Sequence, residues 1–261
     1  MTRLDISLLG PLEIRRDGTP VTLPRGKLRA LFATLAVREG RPVPVDDIIG
    51  RVWDDDPPPS AAVTVRGDVK RLRRLLDRGC GESLIVCLAG AYQLRIAPAD
   101  LDIRRFSDTA ACAEAARDPG ARYELLRRAL ALWHGPPLHD VPSDALRRDL
   151  VPALCERRLD LLCQRIAHDL AGPRPQQVLA ELRGLVAEHP LHEVFWEQLI
   201  QALRRAGRHA EALQAYGACR DVLAEQLGVE PGPRLRTLHR NMLIRDAAAV
   251  DGPVPGASRN A

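Results

Sequence analysis

The sequence predicts an α+β N-terminal part followed by an all-α C-terminal part, and three observations support this. Short stretches that alternate between apolar and polar residues, as strands do, occur before Pro98, and we find none after it. Beyond Pro98, apolar residues recur at helical spacing in successive segments. The excess positive charge also lies in the first part. Residues 1–98 carry 16 basic and 12 acidic side chains, whereas residues 99–261 carry 22 of each.

Composition and termini favour a cytoplasmic protein with no membrane association. The first residues lack the basic-then-apolar layout of a signal peptide, and no apolar run is long enough to span a bilayer. The six cysteines are scattered without a C-x-x-C pair, so we predict reduced thiols and no metal site.

In the N-terminal part, strands are predicted at 5–9, 12–15 and 21–23, and helices at 25–38 and 45–53. The third predicted helix, 61–77, is the most informative. One face is apolar, and the opposite face is formed by Val63, Gly67, Lys70 and Arg74, flanked by Arg66 and Arg71. A hairpin is predicted to follow, with strands at 84–88 and 92–96.

A short helix, a turn, a second helix with a basic outer face and a hairpin together predict a winged helix that binds double-stranded DNA in the major groove. The predicted DNA-binding residues are Thr64, Arg66, Lys70, Arg71 and Arg74 on the third helix, with Arg25 and Lys27 at the start of the first.

The C-terminal part is predicted to hold helices at 103–117, 121–133, 144–171, 176–188, 191–206, 209–227 and 234–245. Two similar stretches, Leu-Val-Ala-Glu at 185–188 and Val-Leu-Ala-Glu at 222–225, recur about 37 residues apart, close to a helical-hairpin repeat period. We therefore predict tetratricopeptide-like helical repeats. The predicted domains are 1–98, which binds DNA, and 99–248, which contacts proteins, followed by a disordered tail at 249–261.

The catalytic motifs that the sequence suggests at first sight are incomplete. Gly26-Lys27 lacks the upstream Gly and the following Ser or Thr of a phosphate-binding loop, since Val21 and Leu28 stand there. His192 has no second histidine one turn later, because Trp196 occupies that position. We therefore predict no enzymatic activity, no catalytic residues and no cofactor.

Several stretches resemble a known family. Residues 8–13 (Leu-Leu-Gly-Pro-Leu-Glu) and 71–74 (Arg-Leu-Arg-Arg) resemble an OmpR-type winged helix. Residues 129–138, which contain Leu-Trp-His-Gly-Pro-Pro-Leu, resemble the start of a bacterial transcriptional activation domain, and 206–213 and 227–233 resemble its later parts. Together these motifs are similar to the Streptomyces antibiotic regulatory protein family. Gly67 departs from the pattern, because it replaces an outward aliphatic residue.

The resemblance implies a pathway-specific activator of an antibiotic or other secondary-metabolite gene cluster. Such a protein would bind direct repeats near promoters and recruit RNA polymerase through its principal sigma factor, with a homodimer on DNA left open. The acidic loop Asp54-Asp55-Asp56 is the candidate polymerase contact, with a stiff linker as the alternative, and we do not expect replacement of its charges to disturb folding. Two alternatives stay open: a repressor or autoregulator with the same DNA-binding mode, and a helical-repeat scaffold for protein interactions.

Overall fold

The computed structural model describes residues 4–54, 56–77 and 82–250. Asp55 of the acidic loop lies outside the described residues. So do residues 251–261, which make up most of the predicted tail. The chain divides into two compact units, Met1–Leu162 and Cys163–Ala261.

A three-stranded antiparallel sheet opens the first unit, with strands β1 (Leu4–Ser7), β2 (Glu13–Arg16) and β3 (Thr19–Pro20) in that order. The prediction of the third strand at 21–23 was wrong. Asp17 and Gly18 both have positive φ, 47° and 82°, and form a two-residue turn. Because Arg16 pairs directly with Thr19 across that turn, the strand begins immediately after Gly18.

Three helices and a second sheet complete the winged-helix part. The helices are α1 (Lys27–Ala36), α2 (Val45–Trp53) and α3 (Ala61–Leu76). The sheet has the order β4-β6-β5, from β4 (Val43–Pro44), β5 (Ile85–Leu88) and β6 (Ala91–Leu94). Strand β4 is not predictable from the sequence, because two residues that end in a proline give no alternating pattern.

The core of this part lies where α1, α2 and α3 pack together against the sheets. Phe32 and Leu35 of α1, Ile48 of α2 and Leu72 of α3 are fully buried in it. Almost every residue of α1 is buried, so this helix forms the centre of the domain. That position leaves α3 with one buried face and one face turned to solvent.

Three more helices belong wholly or partly to the first unit: α4 (Asp102–Ala115), α5 (Pro119–Leu130) and α6 (Asp144–Ala171). A short 3₁₀ turn, Pro98–Asp100, precedes α4. Phe106 and Ala110 of α4 pack with Leu126 of α5 and Leu161 of α6 in a second buried cluster.

The second unit contains the end of α6, a 3₁₀ turn at Pro175–Val178, and the helices α7 (Leu179–Glu188), α8 (Glu193–Arg205), α9 (His209–Leu227) and α10 (Pro233–Val250). Helix α7 packs on α8, α8 on α9 and α9 on α10, as in stacked helical hairpins. Gly228 ends α9 with φ 69°, a left-handed conformation that favours glycine. These features confirm the predicted fold class.

None of the helices within the described ranges is long and apolar enough to cross a membrane.

Candidate nucleic-acid interface

Helix α3 has two distinct faces. Its buried face consists of Ala61, Val65, Val69, Leu72 and Leu76. The residues predicted to contact DNA from this helix are all exposed, and they are Thr64, Arg66, Lys70, Arg71 and Arg74. The exposed face therefore coincides with the predicted one, because the apolar stripe fixes how the helix is rotated on the core.

Side chains from the flanking segments hold α3 in place. Arg73 lies on the edge of the buried face, and its Nε donates to the carbonyl of Ile85 in β5 at 2.9 Å. Arg16 of β2 donates from Nη1 to the carbonyl of Leu76 at 2.9 Å. A cation at this position satisfies a helix C-terminal carbonyl and complements the helix dipole. Both arginines thus help to fix the position of α3.

Asp77, immediately after α3, holds the start of the following hairpin. Its Oδ1 accepts from the backbone N of Leu84 at 2.9 Å, and its Oδ2 accepts from Oγ of Ser83 at 2.8 Å. These bonds fix the return of the chain from α3 to β5.

Lys27 interacts with both α2 and α3. Its Nζ is 4.4 Å from the ring centroid of Trp53, which is a cation–π contact. It also interacts electrostatically with Asp68 of α3, as does Arg71. Burial raises the pKa of Asp68, while these two cations lower it. Arg25 is exposed in the bend before α1.

The β5–β6 hairpin, here called the wing, turns through Ala89 and Gly90, whose φ values are 38° and 85°. Leu88 pairs with Ala91 across this two-residue turn. Cys87 and Leu88 near the turn are exposed.

The acidic loop is only partly as predicted. Asp54 is half-buried and has φ 52°, and its carboxylate accepts from the backbone N of Ala145 at 2.8 Å and of Asp144 at 3.2 Å. It therefore caps the N-terminus of α6, so the expectation that this charge is dispensable for folding was wrong. Asp56 is exposed, as are the prolines 57–59 that follow.

The start of α6 has further contacts with α2. Oγ of Ser143 donates to the carbonyl of Arg51 at 2.5 Å and accepts from the backbone N of Leu146 at 3.1 Å. Arg51 also forms a 3.3 Å ion pair with Asp149. The residues around Asp54 thus join α2 to α6.

Asp102 is a buried charged residue whose role the sequence pattern does not indicate. Its Oδ2 accepts from the backbone N of both Leu8 and Leu9 at 2.8 Å, and its Oδ1 accepts from its neighbour Ile103 at 2.7 Å. Burial raises the pKa of Asp102, although these bonds oppose the shift. The side chain fixes the segment after β1 at the start of α4. Nothing local in the sequence indicates this, since the partners are more than 90 residues apart.

A family comparison extends these observations. Residues 101–243 match the family model described as the bacterial transcriptional activator domain.

Whole proteins give a second comparison. The chain is 35% identical to the regulatory protein DnrI of Streptomyces peucetius, over 98% of this chain and 95% of DnrI. It is 40% identical to the regulatory protein AfsR of Streptomyces coelicolor, over 95% of this chain but 25% of AfsR. The chain thus spans most of DnrI and a quarter of AfsR.

A solved structure gives a third comparison. The structure of Mycobacterium tuberculosis EmbR in complex with a low-affinity phosphopeptide matches with a TM-score of 0.83 and 34% identity. The match covers 94% of this chain and 66% of that chain.

Proposed function

The chain belongs to the Streptomyces antibiotic regulatory protein family, whose members are transcriptional regulators and not enzymes, and from this we propose that it is a sequence-specific DNA-binding activator of transcription. The observation that supports this proposal most strongly is the exposed basic face of α3. Helix α3 exposes five polar or basic side chains on the side away from the core: Thr64, Arg66, Lys70, Arg71 and Arg74. Contacts with the core and with β5 of the wing hold the helix in a fixed orientation.

In this proposal, α3 enters the major groove of double-stranded DNA. Arg66, Lys70, Arg71 and Arg74 neutralise phosphates or donate to guanine, and Thr64 contacts the edge of the groove. Lys27, beside α3, and Arg25 contact the phosphate backbone. Arginine suits these roles because its guanidinium donates two parallel hydrogen bonds to a phosphate or to guanine O6 and N7.

The proposed target is a direct-repeat operator near the promoters of an antibiotic or other secondary-metabolite gene cluster. The relatives AfsR and DnrI support it as regulatory proteins of Streptomyces. Residues 1–98 would bind the operator, as a homodimer or as separate copies on the repeats. Residues 99–248 would contact other proteins, and the family match over 101–243 supports that division.

For activation, we propose contact with RNA polymerase through its principal sigma factor. In the described part of the acidic loop, Asp56 offers an exposed carboxylate, whereas that of Asp54 is bound to the start of α6. A carboxylate suits the basic surface of a promoter-binding domain better than the DNA itself, because phosphates repel it.

Selection of bound duplexes from a random pool tests the function. We expect the wild-type protein to select a repeated motif, and Arg74→Ala to weaken binding to it by about 1–3 kcal/mol if Arg74 contacts a base. Arg128→Ala is the matched control, because it removes the same charge from an exposed position of α5. Equal binding by both variants would contradict the role of α3.

A promoter assay separates activation from repression. With the selected operator upstream of a promoter and purified polymerase, we expect the protein to raise the amount of transcript. A fall in transcript would favour the repressor, and absence of any selected motif would favour the protein-interaction scaffold.

A further inference from the structure

Val63 is the most exposed large apolar side chain in the part of the chain that the structure describes, with 66% of its surface accessible. A valine this exposed contributes little to the packing of the protein itself. Its position therefore decides what it can contact.

Val63 lies in the first turn of α3, two residues after its start at Ala61. At 100° per residue, it stands on the same line as Gly67, Lys70 and Arg74, directly opposite the buried stripe. In a helix that enters the major groove, the residues at the N-terminal end are the ones that reach the base edges.

The space beside Val63 is open. A Cβ atom built on Gly67, one turn further along the same face, would meet no atom within 4 Å. A glycine there lets a groove approach the helix backbone closely, which brings bases within reach of the short Val63 side chain. The neighbouring Thr64 differs, because its Oγ1 is directed to the carbonyl of Ser60 at 3.2 Å.

We propose that Val63 determines base specificity by packing its methyl groups against the C5-methyl group of a thymine in the operator. Thymine alone among the four DNA bases places a methyl group in the major groove, so an apolar contact there distinguishes it from cytosine. The proposal rests on the proposed DNA-binding function. It assigns the apolar contact to position 63, one turn before the position where the family pattern has an aliphatic residue.

Replacement of thymine by deoxyuridine tests this contact directly. Deoxyuridine keeps the base pair and the O4 acceptor and removes only the methyl group. After the operator has been selected, each thymine is replaced in turn and the dissociation constant is measured. We expect the wild-type protein to lose affinity about fourfold at one thymine per half-site, from the burial of one methyl group.

The Val63→Ala variant should be insensitive to the same replacement. Alanine favours the helix more than valine does, and the site is exposed, so folding should be unaffected. Leu88→Ala is the matched control, because it shortens another exposed apolar side chain, in the wing. That variant should keep the fourfold loss.

Either of two results would overturn the proposal: no thymine is sensitive to loss of its methyl group, or wild type and Val63→Ala lose the same factor at every position. If the protein selects a motif but shows no methyl dependence, only the role of Val63 fails. If it selects no motif, the DNA-binding function fails as well.

Discussion

Asp102 shows how one buried carboxylate can organise a junction between distant segments. Its carboxylate, at the start of α4, accepts hydrogen bonds from the backbone N of Leu8, Leu9 and Ile103. These three donors favour the negative charge, whereas burial disfavours it. Burial is the larger effect, which raises its pKa.

The raised pKa gives a prediction with a definite sign. The folded state holds the Asp102 proton more tightly than the unfolded chain does, so the contribution of Asp102 to stability becomes more favourable as the pH falls from neutral through the raised value. We expect the free energy of unfolding of the wild type, minus that of Asp102→Asn, to increase between pH 7 and pH 4. Taking this difference cancels the contribution of the other carboxylates to the pH dependence, because they titrate in both proteins. A constant or decreasing difference would contradict the role of burial.

Gly67 gives a second prediction. It lies in the middle of α3, and a Cβ atom there would be unobstructed. We expect Gly67→Ala to raise the free energy of unfolding by about 1 kcal/mol, because alanine loses less backbone entropy on forming a helix. The control is Gly207→Ala: it also has open space, but φ is 75°, so it should lower stability. Thermal unfolding measures both variants, and a lower midpoint for Gly67→Ala would be the contrary result.

Among the elements, the N-terminus of α6 shows how a helix start can depend on a residue from elsewhere in the chain. Its first amides are satisfied by Ser143 and by the carboxylate of Asp54, which lies 90 residues earlier. An anion at a helix N-terminus is favoured by the helix dipole as well as by the hydrogen bonds.

Separate substitutions in the acidic loop distinguish its structural role from its proposed contact. Asp54→Asn should lower the free energy of unfolding by about 0.3–1 kcal/mol, because it removes the charge that the helix dipole favours and one of the two oxygens that accept from α6. Asp56→Asn should change stability by less than about 0.5 kcal/mol, since Asp56 is exposed. Asp56→Asn should also reduce transcription with purified polymerase and leave operator binding unchanged. Full transcription by this variant would exclude the Asp56 charge as the polymerase contact.

The elements differ in how far the sequence predicts them. The bounds of α2, α6 and α9 agree with the prediction, because prolines and glycines flank long apolar patterns. The exposed face of α3 was predictable for a different reason, since the spacing of its valines and leucines determines which side is buried. The roles of Asp54 and Asp102 were not predictable, because each depends on amides brought near by the fold.

At the scale of the whole molecule, positive charge is unevenly distributed along the chain. The excess positive charge lies in residues 1–98, while residues 99–261 are balanced. Nucleic-acid binding through phosphates requires a local excess of cations. Helix α3 alone carries five basic side chains and one acidic side chain, an excess equal to the net charge of +4 of the whole chain. The central claim is therefore that the cations of this one helix face bind duplex DNA.

The salt dependence of operator binding tests this claim most directly. Each phosphate that a cation neutralises releases counterions, so log K falls with log salt concentration by about 0.9 units per contact. For the Lys70→Ala, Arg71→Ala, Arg74→Ala triple variant, we predict weaker binding and a salt slope shallower by about one unit for each cation that contacts a phosphate. Unchanged affinity and unchanged slope in a variant that remains folded would contradict the claim.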